Sequence, residues 1–175
     1  MKRLLTITIL LFVSLLYSQN KFDINNLIDR GGLMYAPNDD EPYTGKVFDF
    51  YENGQKKLDG RYRKGLMNGK WTYYHENGQF HGQGRFIDGD GGSLLSILDS
   101  LNIPPFNGRS GKWMVWYENG QKQSEGTYKD GGLNGKWTDW YENGQKEEES
   151  TWKDGGMIEY KKWDEDGNVK KHYKY

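Results

Sequence analysis

Three histidines, no cysteine and a scatter of carboxylates are the raw material for chemistry in this 175-residue chain. Without cysteine there is no thiolate nucleophile, no disulfide and no Cys-ligated zinc. His75 and His81 are close enough in sequence to raise a metal pair. If Asn77-Gly78 forms the tip of a hairpin, His75 faces Phe80 and His81 faces Tyr74, so the two rings point to opposite faces. The expectation is therefore a packing or surface role and no metal. His172 has no evident acid or serine partner. Asp88-Gly89-Asp90 and Asp164-Glu165-Asp166 faintly resemble calcium loops, yet neither has the full D-x-[DN]-x-[DN]-G…E spacing, and turn chemistry accounts for both. Glu147-Glu148-Glu149 alternates across a strand and reads as solvated. No enzyme, cofactor or metal site is expected.

Composition narrows the class. Net charge is -1 and pI is about 6.3, so no nucleic-acid partner is expected. Lys2 and Arg3, the apolar run Leu4–Leu16 and the small Ser18 read as a signal peptide over residues 1–18. That run is short of the ~20 residues that span a bilayer. The expected location is outside the cytoplasm: periplasmic, cell-surface or secreted. After residue 18 the chain has 25 aromatics but only 18 Leu, Ile and Val, six of them within Leu94–Ile103. Rings rather than aliphatics must form most of whatever core exists.

The elements that position these residues are repeats. Trp116–Lys122 and Trp140–Lys146 are the same seven letters, WYENGQK, with near-copies at Phe50–Lys56 and Tyr74–Phe80. The turn residues Asn53, Asn77, Asn119, Asn143 and Asp166 are spaced by 24, 42, 24 and 23. Gly45, Gly69, Gly111, Gly135 and then Ile158 keep the same spacings. A unit is thus about 24 residues, and the second carries an 18-residue insertion. Such periods signal stacked supersecondary units. The fold class expected is all-β: antiparallel hairpins forming one elongated, twisted, single-layer meander of about ten strands, with a short helical insertion. Residues 19–44 form a strand-like lead-in. The units fall near 45–68, 69–110 (insertion 90–109), 111–134, 135–157 and 158–175.

Asn-Gly pairs at Asn53-Gly54, Asn77-Gly78, Asn119-Gly120 and Asn143-Gly144 suit two-residue type I′ tips. Those tips set the register. Trp71 then faces Gly84, Trp113 faces Gly126, Trp137 faces Ser150 and Val47 faces Gly60. Gly45, Gly69, Gly111 and Gly135 face Tyr62, Phe86, Tyr128 and Trp152. Tyr160 would face Tyr173 in the last unit. A large residue meets a small one across each of the first four hairpins, which suggests rings lying over the bare backbone opposite. These residues share one face with Tyr51, His75, Tyr117 and Tyr141. Phe50, Tyr74, Trp116, Trp140 and Trp163 point to the other, wetter face, where Trp140 would lie opposite Glu147 and Thr138 opposite Glu149.

GKWTDWYENGQK at 135–146, GKWMVWYENGQK at 111–122, the linking EGTYKDGGLNGKW at 125–137 and the lead-in at 29–48 resemble bacterial variants of the MORN (membrane occupation and recognition nexus) repeat. The resemblance covers roughly residues 29–175 apart from the insertion. It implies a meandering sheet and a non-catalytic role in protein or membrane contact. It also carries an antitoxin-like label, which an export signal opposes. The insertion has Leu94, Leu95, Ile97, Leu98 and Leu101 at helical spacing, Ser93 as a candidate N-cap and Pro104-Pro105 as a stop. An unidentified protein is the expected partner, with the ring row Phe50, Tyr74, Trp116, Trp140 and Trp163 as the candidate surface. A glycan, cell envelope or lipid surface is the alternative, and it gains if that row is open and coplanar.

Overall fold

The structure, a computed structural model, describes residues 21–89 and 107–175. The expected signal peptide and the expected insertion helix lie outside the described residues. The lead-in gives β1 (Lys21–Asp23), a 3-10 turn (Ile24–Asn26), β2 (Ile28–Arg30) and β3 (Leu33–Tyr35). Then come β4 (Gly45–Phe50), β5 (Lys56–Arg63), β6 (Leu66–Tyr74), β7 (Phe80–Gly89), β8 (Arg109–Trp116) and β9 (Lys122–Lys129). The chain ends with β10 (Gly132–Leu133), β11 (Gly135–Trp140), β12 (Lys146–Lys153), β13 (Gly156–Trp163) and β14 (Val169–Lys174).

Strands β4 to β14 pair in sequence order as an open antiparallel meander, with the short β10 beside β9. β1 adds a parallel edge strand against β4, and β2–β3 form a separate small sheet. The expected all-β meander is what forms. The anticipated pairs of a large with a small residue are all present, from Val47↔Gly60 and Trp71↔Gly84 to Trp113↔Gly126 and Trp137↔Ser150, as is Tyr160↔Tyr173, whereas the pairs expected next to the tips (His75 with Phe80, His81 with Tyr74, Trp140 with Glu147) do not form.

The turns differ from expectation in kind. The Asn-Gly tips are not type I′, because each glycine has positive φ and each asparagine does not. In the first tip Gly54 N–H donates to Tyr51 O and Tyr51 N–H donates to Gln55 O, closing a three-residue loop. This is a type I turn followed by a left-handed glycine. Turns with two positive φ values lie instead between the units, at Lys64-Gly65, Asp130-Gly131 and Asp154-Gly155. The three-residue tip has one residue more than the expected loop. Each hairpin absorbs it as a one-residue bulge just after the tip, for example between Val115↔Ser124 and Trp116↔Lys122. Trp140 therefore faces Lys146, not Glu147, while Thr138 still faces Glu149.

The shielding of glycines also runs differently. The rings over Gly60, Gly84 and Gly126 come from the next unit, not from the facing strand of the same hairpin, and Gly45 lies against Tyr43 of the lead-in, not Tyr62. A β-carbon at Gly60 would enter the Trp71 indole, one at Gly84 the Trp113 indole, and one at Gly126 the Trp137 indole. Gly69, Gly111 and Gly135 have no ring against them. They are glycines because φ is +76°, +67° and +74°, a region costly for any residue with a β-carbon. The core on this face comprises Val47, Leu58, Tyr62, Met67, Trp71, Tyr73, Phe86, Trp113 and Tyr128, joined by Ile24, Leu27 and Met34 of the lead-in. The rings meet edge to face, as in Tyr62–Trp71, Phe86–Trp113 and Tyr128–Trp137. Burial fades toward the C-terminus, and β13 and β14 have no buried residue.

The repeated tip letters are explained by bonds between units. Asn53, Asn77, Asn119 and Asn143 each accept a bond from the N–H of the glutamine two residues on. Their amide nitrogens donate to the carbonyls of Glu76, Glu118, Glu142 and Glu165 in the next unit. Tyr51, Tyr117 and Tyr141 hydroxyls donate to the carbonyls of Tyr74, Trp140 and Trp163. The ladder crosses the insertion unbroken, because Ile87 N–H bonds Gly108 O, and Gly89 and Gly108 touch backbone to backbone.

Two glycine substitutions separate packing from backbone strain. Gly126→Ala forces a β-carbon into Trp137 and is expected to cost roughly 2–3 kcal/mol. Gly111→Ala meets open space but a positive φ, and is expected to cost roughly 1 kcal/mol. Urea unfolding of the two variants checks the order, and a costlier Gly111 variant would refute the inter-unit packing.

Candidate functional site

The face opposite the core carries three parallel rows, because antiparallel partners point the same way. The first is the ring row. Phe50 is 49% exposed and packs on Phe48 at 5.4 Å. Tyr74 stacks on Phe80 at 5.5 Å, and Phe80 lies 5.8 Å from Trp116. Trp140 lies beneath the Lys122 ammonium at 5.1 Å, and Trp163 beneath Lys146 and Lys161 at 5.7 and 5.0 Å. Lys56 similarly reaches Tyr74 at 5.6 Å. The five expected surface rings thus share a face, but they are neither coplanar nor uniformly open. Lysines lie over the C-terminal rings, and among the described residues of this face only around Phe80, itself 49% exposed, do three rings adjoin. Phe80 is absent from the sequence-derived row. The signal for it was available: the residue after each tip glutamine is Lys56, Phe80, Lys122 and Lys146.

The second row is polar apart from Phe48 and Met114, with Asp59, Thr72, Gln83, Glu125, Thr138 and Glu149. Glu125 holds Lys112 at 2.6 Å and also Lys122, and Glu149 holds Lys136 at 2.9 Å and Lys146 at 2.7 Å. These bonds keep both glutamate carboxyls below their usual range against the opposing effect of burial. The third row is cationic in its N-terminal half, with Lys46 facing Arg61 and Lys70 facing Arg85. Two grooves open between the rows. One, of 480 Å³, is lined by Lys46, Asp59, Lys70, Thr72, Tyr74, Phe80 and Gln83. The other, of 400 Å³, holds the two glutamates and their four lysines.

The remaining candidates fall elsewhere. His75 and His81 do not diverge as expected: their rings are 4.4 Å apart and tilted by 34°. The bulge is the cause. It pairs Tyr74 with Phe80 and Tyr73 with Gly82, leaving His81 as the extra residue and swinging it onto the His75 side. His75 occupies the place of the tip tyrosines, and its Nε2 donates to Trp116 O at 2.7 Å. Its Nδ1 is buried without a hydrogen-bond partner among the described residues. Burial, and then the neighbouring His75, depress the His81 pKa to about 4. Among the described residues no three ligating side chains gather for a metal. Asp88 binds Arg63 and Asn68. Asp164 binds Lys170 and Asn168, which pull its pKa down to about 2. Both sit in turns. His172 contacts Glu159 at 3.0 Å on the exposed last hairpin.

Residues 67–88, 109–130 and 133–154 match the family model described as MORN repeat variant. Each matched stretch coincides with one hairpin to within two residues at either end: β6–β7, β8–β9 and β11–β12. Repeats of this kind are generally non-enzymatic protein- or membrane-binding modules. Comparison with curated proteins finds no match.

The histidine pair gives a pH signature. The folded chain resists protonating His81 until about pH 4, whereas an unfolded histidine takes its proton near 6.5. His81 therefore contributes full stability above pH 6.5 and loses it as pH falls toward 4. Allowing for its partial exposure, the loss is roughly 1–2 kcal/mol. Comparing urea midpoints of the native chain and His81→Gln at pH 7 and 4.5 checks this: the difference between them is expected to change with pH, and a constant difference refutes it.

Proposed function

We propose that the chain is an exported, non-catalytic repeat scaffold that binds a protein partner across the open face of its sheet. The observation that carries this reading is the row of half-exposed rings and lysines running from Phe50 to Trp163 over nine successive strands. Aromatics and cations with long apolar stems are favoured where proteins meet. The tip ladder fixes the spacing of the row, so a partner meets a preformed surface with little ordering to do. The match to protein- and membrane-binding repeats supports the same reading. The lysines over Trp140 and Trp163 weigh against the whole row as a sugar-stacking platform.

Placement of a photo-crosslinker tests the face. At Thr127, exposed on the ring side, one discrete adduct is expected; at Lys171, which pairs with Lys162 on the opposite side, none. Trp140→Ala is expected to lower the adduct yield at least about fivefold, equivalent to roughly 1 kcal/mol. An adduct from Lys171 alone, or no effect of Trp140→Ala, refutes the reading. For export, expression with and without residues 1–18 is expected to give a processed, exported product only in the first case. Retention of the full chain in the cytoplasm refutes it.

A further inference from the structure

The units serve as controls for one another. At three neighbouring positions on the open face, the second unit departs from the third and fourth. Where they have Glu125 and Glu149 it has Gln83; where they have Thr127 and Thr151 it has Arg85; where they have Lys122 and Lys146 it has Phe80. Gln83 and Phe80 line one groove, the 480 Å³ cleft floored by the buried Thr72, and Arg85 faces Lys70, which also lines it.

Their combined effect is chemical. In the third and fourth units each groove lysine has a glutamate at 2.9 Å or closer. In the second, Gln83 leaves Lys70 without one, and Arg85 adds a charge beside it. The first unit continues the row with Lys46 and Arg61. Lys46 faces Arg61, Lys70 faces Arg85, and Arg61 and Lys70 lie two residues beyond the facing pair Asp59↔Thr72. Four exposed cations thus stand side by side on four successive strands, about 14 Å from end to end at the usual strand spacing. Like charges facing each other across a sheet oppose folding. The nearby carboxylates are already engaged, Asp59 with Lys56 at 3.0 Å and Asp88 with Arg63 at 2.8 Å. The arginine backbones are fixed, because the Trp71 and Trp113 indoles donate to the Arg61 and Arg85 carbonyls at 3.2 Å.

We infer that this groove binds an acidic oligosaccharide, with carboxylate or sulfate groups on the Lys46–Arg61–Lys70–Arg85 row and a sugar face on the Tyr74–Phe80–Trp116 rings. Gln83 and Asp59 supply the neutral donor and the acceptor that sugar hydroxyls need. Single-stranded nucleic acid wants stacking platforms at successive positions along a basic channel. Here a single ring platform adjoins a row of charges, so successive bases would have nothing to stack on. The inference rests on the open face being a recognition surface, but it concerns the first two units and the adjoining Trp116 only.

The test uses the full chain, with oligogalacturonate as probe and its methyl ester as the neutral control, followed by tryptophan fluorescence and calorimetry. Binding of the acid and not the ester is expected. Gln83→Glu, Arg85→Thr and Phe80→Lys each install the residue that the third and fourth units have, so the fold tolerates them. Each is expected to weaken binding roughly tenfold, while Lys136→Ala leaves it unchanged. No binding, equal binding of the ester, or indifference to the three variants overturns the inference. So does preference for an oligothymidylate or for phosphatidylglycerol vesicles over the uronate. Loss of the Thr127 crosslink in Trp140→Ala with uronate binding intact separates the protein surface from this groove.

Discussion

An indole laid on the glycine of the preceding hairpin is the contact on which this sheet depends. A single hairpin buries little in water and is marginal by itself. Trp71 over Gly60, Trp113 over Gly84 and Trp137 over Gly126 give each hairpin a buried face only once its neighbour has folded against it. The indole N–H then bonds a backbone carbonyl of the strand it covers, in two of the three cases. Packing and hydrogen bonding therefore act on the same seam. A chain poor in Leu, Ile and Val thus makes a core from one row of rings. The lead-in supplies what the first unit lacks, through Ile24 and Leu27 and through the bond from Asn25 to the buried Asp49.

The tips add a second seam at the far end of each hairpin. One asparagine closes its own turn with its oxygen and reaches the next turn with its nitrogen, so the letters recur because both bonds recur. The three-residue loop that allows this displaces one residue per hairpin into a bulge. At four hairpins the bulged residue is Lys57, Gln123, Glu147 or Lys170, all polar; at the second it is His81, which lands on His75. The depressed His81 pKa is a consequence of loop length, not evidence of catalysis.

Because both seams occupy the core face and the tips, the open face can vary without disturbing either seam. The third and fourth units use that freedom to neutralise lysines with glutamates. The second removes the glutamate, adds an arginine and exposes a phenylalanine. Repetition makes such a departure readable, since the neighbouring units show what the fold alone would have accepted.

The period, the hairpin pairing and the faces of the repeated tyrosines and tryptophans were legible in the sequence, because a two-fold alternation and a repeated turn fix them locally; the faces of Phe80 and His81, next to the bulge, were not. The expected register holds from Val47↔Gly60 to Tyr160↔Tyr173 for that reason. Which ring covers which glycine was not legible, since Gly84 has one tryptophan across its own hairpin and another across the next, and only the twist and offset of adjacent units choose between Trp71 and Trp113. The turn class, the bulge, the meeting of His75 with His81 and the capping of Trp140 by Lys122 were likewise decided by tertiary structure. Each depends on the sign of one backbone angle or on contact between units about 24 residues apart, and neither quantity is written in the local order of the residues.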